Sequence, residues 1–284
     1  MSKLVRPKYL VSSDSIGFLG KPEQFIYLWE EFFENGTIDG VEAIAFKPIK
    51  RLQKLSELLK KINVPILSFH GKTGGEDQLD LFSKIIMTAV NSRIVDSEII
   101  LQKFPDVDFL SHGPYFEKES TRQTVLKYQP KKIWIENHLR GKRGVEDAIR
   151  QINIYRSNKI DASGMLDIYH YIADNVGEIN TDWPNLVGEM ESYMKKRDKT
   201  GRQFFTGIHF PIGSRLGDSL PIDNMTDQML ELFAKKIIPY VDRVVFENQQ
   251  ANLGLFFSTK GMIENQKKRN TRIIERLKKT GIIK

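Results

Sequence analysis

The stretch Leu52–His70, LQKLSELLKKINVPILSFH, changes its hydrophobic period partway along. Leu52, Leu55, Leu58, Leu59 and Ile62 recur at the three- and four-residue steps that line one face of a helix. From Val64 to His70 the apolar residues instead form a short run of the length of a buried strand. A helix leading straight into a buried strand is half of an α/β unit, and the flanking sequence repeats it.

Similar short runs are Tyr9–Ser13, Val41–Phe46, Val107–His112, Ile133–Glu136, Gly164–Asp167, Phe204–His209 and Val244–Glu247, which with Val64–His70 makes eight. They are rich in Val, Ile, Phe and Leu, as strands covered on both faces are. Between them the helical period returns. Phe25, Ile26, Leu28, Trp29, Phe32 and Phe33 line one face, and further helical patterns cover Leu79–Lys103, Lys118–Tyr128, Val145–Ser157, Asp227–Ile238 and Gly261–Lys279. Eight strands alternating with helices in 284 residues predict a (β/α)8 TIM barrel forming one domain over residues 1–284, with 266–284 as a basic C-terminal helix. The competing open, doubly wound sheet lacks its marker, because no GxGxxG follows the first strand. His70-Gly-Lys-Thr-Gly is half of a phosphate loop only, since Ile66 stands where the leading glycine belongs. The least regular stretches are Asn175–Arg202 and Pro211–Asn224, the second expected on the catalytic face after the seventh strand.

Composition narrows the chemistry. The absence of cysteine excludes disulfides, thiolate nucleophiles and sulfur-based zinc sites, so a metal must be held by His, Asp and Glu. No stretch approaches the roughly 18 apolar residues of a membrane span, and the first residues lack the apolar core of a secretory signal, so a cytoplasmic protein is expected. A net charge of +7 and a pI near 9.3 raise a polyanionic partner. The charge is local, however. Residues 266–284 hold eight basic side chains against one acid, which leaves 35 of each sign in the rest. The last helix of a barrel runs away from the catalytic rim, so DNA is the weaker partner and a small molecule the stronger.

Every one of the five histidines lies at or just beyond the end of an apolar run: His70 and His112 close the third and fourth, His138 and His170 follow the fifth and sixth, and His209 closes the seventh. Glu136, Asp167 and Glu247 close the fifth, sixth and eighth, and Glu42 sits within the second. Strand ends in a barrel converge on one rim. Carboxylates and imidazoles gathered there without a cation would be costly to bury. A divalent metal resolves the cost, and nitrogen and oxygen donors suit manganese, magnesium, cobalt or zinc.

The ordered series Glu42 in Gly-Val-Glu, His70, His112, Glu136 in Ile-Glu-Asn, Asp167-Ile-Tyr-His170, His209 with Arg215 six residues on, and Glu247 resembles the xylose isomerase-like TIM-barrel superfamily over nearly the whole chain. In its tagatose and psicose 3-epimerase branch, the resemblance implies metal binding by Glu136, Asp167, His209 and Glu247 and substrate contacts by His170 and Arg215. Endonuclease IV, on the same core, adds histidines matching His70 and His112, which implies a second metal or a substrate contact there. It also carries an Asp-x-His after the seventh strand. No histidine follows His209 here, so a trinuclear site cannot be built as in that family, although Asp218 or Asp223 offers a partial substitute.

Moving a hydrogen beside a carbonyl needs a base and a cation that holds the oxyanion of the enediolate. Glu136 and Glu247 suit the base and acid roles. The expected activity is therefore a metal-dependent isomerase or epimerase of a sugar, sugar phosphate or related keto-polyol. Its alternatives are an endonuclease IV-like phosphodiesterase acting on abasic or damaged DNA and a metal-dependent lyase or dehydratase. Lys47, Lys72 and Arg140 follow strand ends and are candidates to receive a phosphate or carboxylate. His138 is a candidate for substrate contact or for supporting a ligand, and Trp134, inside a strand, reads as core. Family resemblance also suggests a homo-oligomer.

Overall fold

A computed structural model of the chain describes residues 6–13, 21–44, 48–72, 94–138, 141–173, 182–212, 225–247 and 260–284. Eight parallel strands close into a barrel in sequence order: β1 (Lys8–Ser12), β2 (Gly40–Ile44), β3 (Ile66–His70), β4 (Asp108–His112), β5 (Ile133–Glu136), β6 (Ala162–Asp167), β7 (Phe205–Pro211) and β8 (Arg243–Glu247), with β8 pairing back onto β1. The described helices are α1 (Pro22–Glu34), α2 (Ile49–Lys61), α3 (Ser97–Lys103), α4 (Gly113–Glu117), α5 (Glu119–Tyr128), α6 (Gly141–Ser157), α7 (Ile168–Ala173), α8 (Trp183–Lys195), α9 (Asp227–Lys236) and α10 (Lys260–Lys279). This is the TIM barrel that the alternating periods predict. Among the described residues, no helix is long and apolar enough to cross a membrane.

The strand period of two sorts side chains into layers. Tyr9 and Val11, Phe109, Ile133 and Ile135, and Val244 and Phe246 belong to the large core shared with the helices. Leu10, Leu110, Trp134, Met165 and Val245 form a separate cluster that fills the barrel interior. Two residues further along the same inward faces come His112 after Leu110, Glu136 after Trp134, Asp167 after Met165 and Glu247 after Val245. The polar rim is thus the next layer above an apolar plug. His209 follows the same logic from Gly207, where a Cβ would meet Met165 Sδ at 2.7 Å and Trp134 Cζ3 at 2.9 Å. Glycine is the residue that lets the bulky plug and the rim histidine coexist on β7.

Below the plug, Asp108 Oδ2 accepts hydrogen bonds from Trp134 Nε1 at 3.0 Å and Arg243 Nη2 at 2.7 Å. Lys132 and Arg243 lie over the Trp134 ring, at 3.9 and 4.6 Å from its centroid. Trp134 is therefore core, as its place in the strand predicts.

The structure corrects one expectation. Asn175–Arg202 is not irregular throughout, because it contains the 13-residue α8. Its start carries Asp182 as N-cap, accepting from Asn185 N–H at 3.2 Å, with Pro184 in the first turn. Trp183, Leu186, Val187, Met190 and Met194 are buried on one face. Residues 79–93 of the expected third helix lie outside the described residues, as does most of Pro211–Asn224.

The chain's basic end lies opposite the rim. Tyr9 Oη, near the start of β1, donates to the Ile282 carbonyl at 2.9 Å, and Arg6 Nε donates to the Lys284 carbonyl at 3.3 Å. Two of the eight basic residues, Arg276 and Lys279, are paired with Asp227 on α9 at 2.7 and 3.0 Å.

Candidate metal centre

Strand register brings the rim residues together. His112 is level with Glu136 across β4 and β5, and Asp167 is level with His209 across β6 and β7. Asp167 also ends its strand and starts α7, where its Oδ1 accepts the His170 N–H at 2.8 Å in the manner of an N-cap. One carboxylate thereby fixes both its own direction and the helix that carries His170.

His209 lies at the centre of the cluster, with no exposed surface. Its Nδ1 is 3.3 Å from Glu247 Oε1, 3.4 Å from Glu136 Oε1 and 3.9 Å from Asp167 Oδ2. The carboxylates of Glu136, Asp167 and Glu247 thus all face the same nitrogen of His209. On the opposite ring edge, Nε2 is 3.1 Å from Glu42 Oε1. Both nitrogens are buried, and neither makes an aligned hydrogen bond.

Glu136 is shared. Its Oε2 is 3.1 Å from His70 Nε2, and its Oε1 is 3.2 Å from His112 Nε2 and 3.5 Å from His170 Nε2. The five imidazoles form one connected set: His209 stacks near His70 at 5.9 Å between ring centroids, His70 meets His112 edge-on at 5.4 Å, and His112 meets both His138 and His170 at 5.3 Å.

Three groups of residues each offer three ligand atoms lying within 4.8 Å of one another: Glu136, Asp167 and His209; His70, His112 and Glu136; and Glu42, His70 and His209. The donor set fits a divalent cation. Burial would raise the Glu136 carboxyl, yet the charges of His112 and His209 hold it well below the usual carboxylate range. Burial likewise opposes charge on His209, but Glu247, Glu136 and Glu42 push its imidazole well above its ordinary value. His70, also disfavoured by burial, is pushed up to about 9 by Glu136. The carboxylates recruit protons onto imidazoles wherever a metal does not supply the positive charge.

Lys72 forms an ion pair with Asp96, ahead of α3, and among the described contacts none joins it to the cluster. Lys47, Arg140 and Arg215 lie outside the described residues, as do Asp218 and Asp223. Sequence reasoning gave no role to Asn137. This buried side chain donates from Nδ2 to the Asp167 carbonyl at 3.1 Å and accepts the Asp167 N–H at 2.7 Å. Its signal was adjacency to Glu136, but its partner becomes visible only once β5 and β6 are paired.

No family model matches the sequence, and no curated protein matches it. Among solved structures, the chain is similar to 3-keto-D-glucoside 4-epimerase from E. coli, with 13% identity, a TM-score of 0.48 and coverage of 94% of this chain and 99% of that one. It is similar also to a D-tagatose 3-epimerase-like protein, with 14% identity, a TM-score of 0.48 and coverage of 96% and 98%. A xylose isomerase domain protein from Planctomyces limnophilus aligns with 11% identity, a TM-score of 0.49 and coverage of 96% and 95%.

Proposed function

We propose that the chain is a divalent-metal-dependent isomerase or epimerase of a sugar, sugar phosphate or related keto-polyol. The observation that carries this reading is the convergence of Glu136 and Glu247, from strands on different sides of the barrel, on His209 Nδ1 at 3.4 and 3.3 Å. Glu136, Asp167, His209 and Glu247 would hold the cation, which supplies a Lewis acid for negative charge developing on a substrate oxygen. Glu247 and Glu136 then act as an acid–base pair on the carbon beside the carbonyl, one removing the proton and the other returning it. The imidazoles around Glu136 favour its ionised form. His170 and His138, stacked with ring centroids 6.1 Å apart, would donate to substrate hydroxyls. Lys47, Lys72 and Arg215 are kept as candidate substrate contacts on the sequence reasoning alone.

The test is exchange of the substrate C–H with solvent deuterium, using manganese-loaded protein and a panel of ketoses and their phosphates. Glu136→Gln and Glu247→Gln should each abolish exchange while leaving the circular dichroism spectrum unchanged; full exchange in either variant sinks the proposal.

A second reading draws on the shared position of Glu136. His70 and His112 at 3.1 and 3.2 Å from its two oxygens make a second ligand set beside the first. Glu136, His70 and His112 would hold a second cation beside the first, and such a pair would supply a hydroxide nucleophile and Lewis acidity for phosphodiester hydrolysis. That reading requires two or more metals per chain by mass spectrometry and salt-dependent cleavage of abasic-site DNA.

A further inference from the structure

We propose that Glu42 is a positioning residue that fixes the orientation and ring tautomer of His209; the inference rests on the cation-site reading given above. Glu42 lies within β2 with no exposed surface. Its Oε1 is 3.1 Å from His209 Nε2, while its Oε2 accepts the Ser68 hydroxyl at 3.0 Å. Ser68 is its register partner on β3, so the backbone pairing itself holds the carboxylate in place. His209 is gripped at both edges: Glu42 faces Nε2, and Glu136, Asp167 and Glu247 face Nδ1. The His70 ring stacks alongside, 25° from parallel.

The two tautomers are not equivalent in this setting. With the proton on Nε2, the Glu42 carboxylate 3.1 Å away is the acceptor within reach of a small ring rotation, and the Nδ1 lone pair faces Glu136, Asp167 and Glu247. With the proton on Nδ1, the Nε2 lone pair would oppose the Glu42 carboxylate and the proton would block the ligand position. An imidazole that donates through one nitrogen is oriented to ligate through the other, and losing such support costs about 10–100-fold in metal affinity. Glu42, His70 and His209 also offer three ligand atoms within 4.8 Å, so direct ligation by Glu42 is the competing arrangement.

The experiment is nitrogen-15 NMR of the full chain with zinc as a diamagnetic probe, His209→Gln providing the assignment. The expected result is zinc on His209 Nδ1 and a protected, low-field proton on Nε2. Glu42→Gln keeps an acceptor oxygen, so it should retain that proton at higher field and bind zinc about 10–100-fold more weakly. Glu42→Leu should lose proton protection and weaken zinc further. Zinc on Nε2, or an unchanged Nε2 proton and zinc affinity in Glu42→Gln, overturns the inference, and the second criterion stands even if Glu42→Leu does not fold. A wild-type chain that takes up no zinc defeats the cation-site reading instead, since the Nε2 proton of the metal-free protein still reports whether Glu42 holds the ring.

Discussion

Asn137 clasps the backbone of Asp167 from both sides, donating to its carbonyl at 3.1 Å and accepting its N–H at 2.7 Å. Both groups are buried at the point where β6 turns into α7, so the side chain substitutes for the ladder that ends there. Asn137→Ala should therefore destabilise the fold by about 1–3 kcal/mol, the cost of leaving buried polar groups unmade. Asn137→Asp should be worse at neutral pH, because a carboxylate would face the Asp167 carbonyl. Urea unfolding of the three proteins checks the order; an alanine variant as stable as the wild type refutes it.

The metal-free chain should lose stability as pH rises through the weakly alkaline range. His70 is disfavoured as a cation by burial, but Glu136 raises it to about 9. Its unfolded value is about 6.5, so the proton-linked stability is complete below that pH and is lost as pH climbs towards the folded value. Metal binding needs the imidazoles unprotonated, so stabilisation by added manganese should grow over the same window. Thermal midpoints in EDTA and in manganese at pH about 6 and about 9 test both statements, with about 2.7 kcal/mol expected at 100 times Kd. A metal-free midpoint that rises with pH would contradict the assignment.

At the barrel base, Asp108→Ala should cost about 3–5 kcal/mol, because it strands the buried Arg243 guanidinium at the position where the pair is now 2.7 Å apart. Changing Asp108→Leu and Arg243→Met together should restore much of the loss. Chemical denaturation in a double-mutant cycle measures it, and simple additivity of the two single changes would argue against a coupled pair.

Asp198 should give the fold an acid-sensitive contribution. Burial raises its carboxyl, but hydrogen bonds from the Thr200 hydroxyl and N–H, the Arg202 N–H and Arg156 bring it down to about 2. The stabilisation is present above the unfolded value of about 3.9 and is lost as pH falls through the folded one. Asp198→Asn and wild type should differ in unfolding free energy near neutrality and converge at the acid end. A constant gap across pH would mean that the carboxylate charge is not what matters.

The barrel was legible because each strand is a short apolar run and each intervening helix changes the period. The rim was legible for the same reason: Glu136, Asp167, His209 and Glu247 end their runs, and parallel strands of a barrel all end on one side. What stayed hidden depends on contacts across the barrel. Glu42 sits inside its run, and its partner His209 lies five strands away in chain order. Asn137 needs the β5–β6 register, and Asp108 needs Arg243, 135 residues on. The α8 signal was different in kind. Asp182, Pro184 and the spaced apolar residues after them are a local helix start, masked to the eye by the polar stretches on either side.

The gathering of all five histidines into one set of touching rings gives the molecule a spectroscopic economy. Every imidazole resonance, and every site of histidine photo-oxidation, reports on the rim and on nothing else. With no native cysteine to interfere, a single introduced thiol can carry a dye or spin label at any chosen loop. Distances from that label to an ion held at the rim could then be read without rebuilding the rest of the chain.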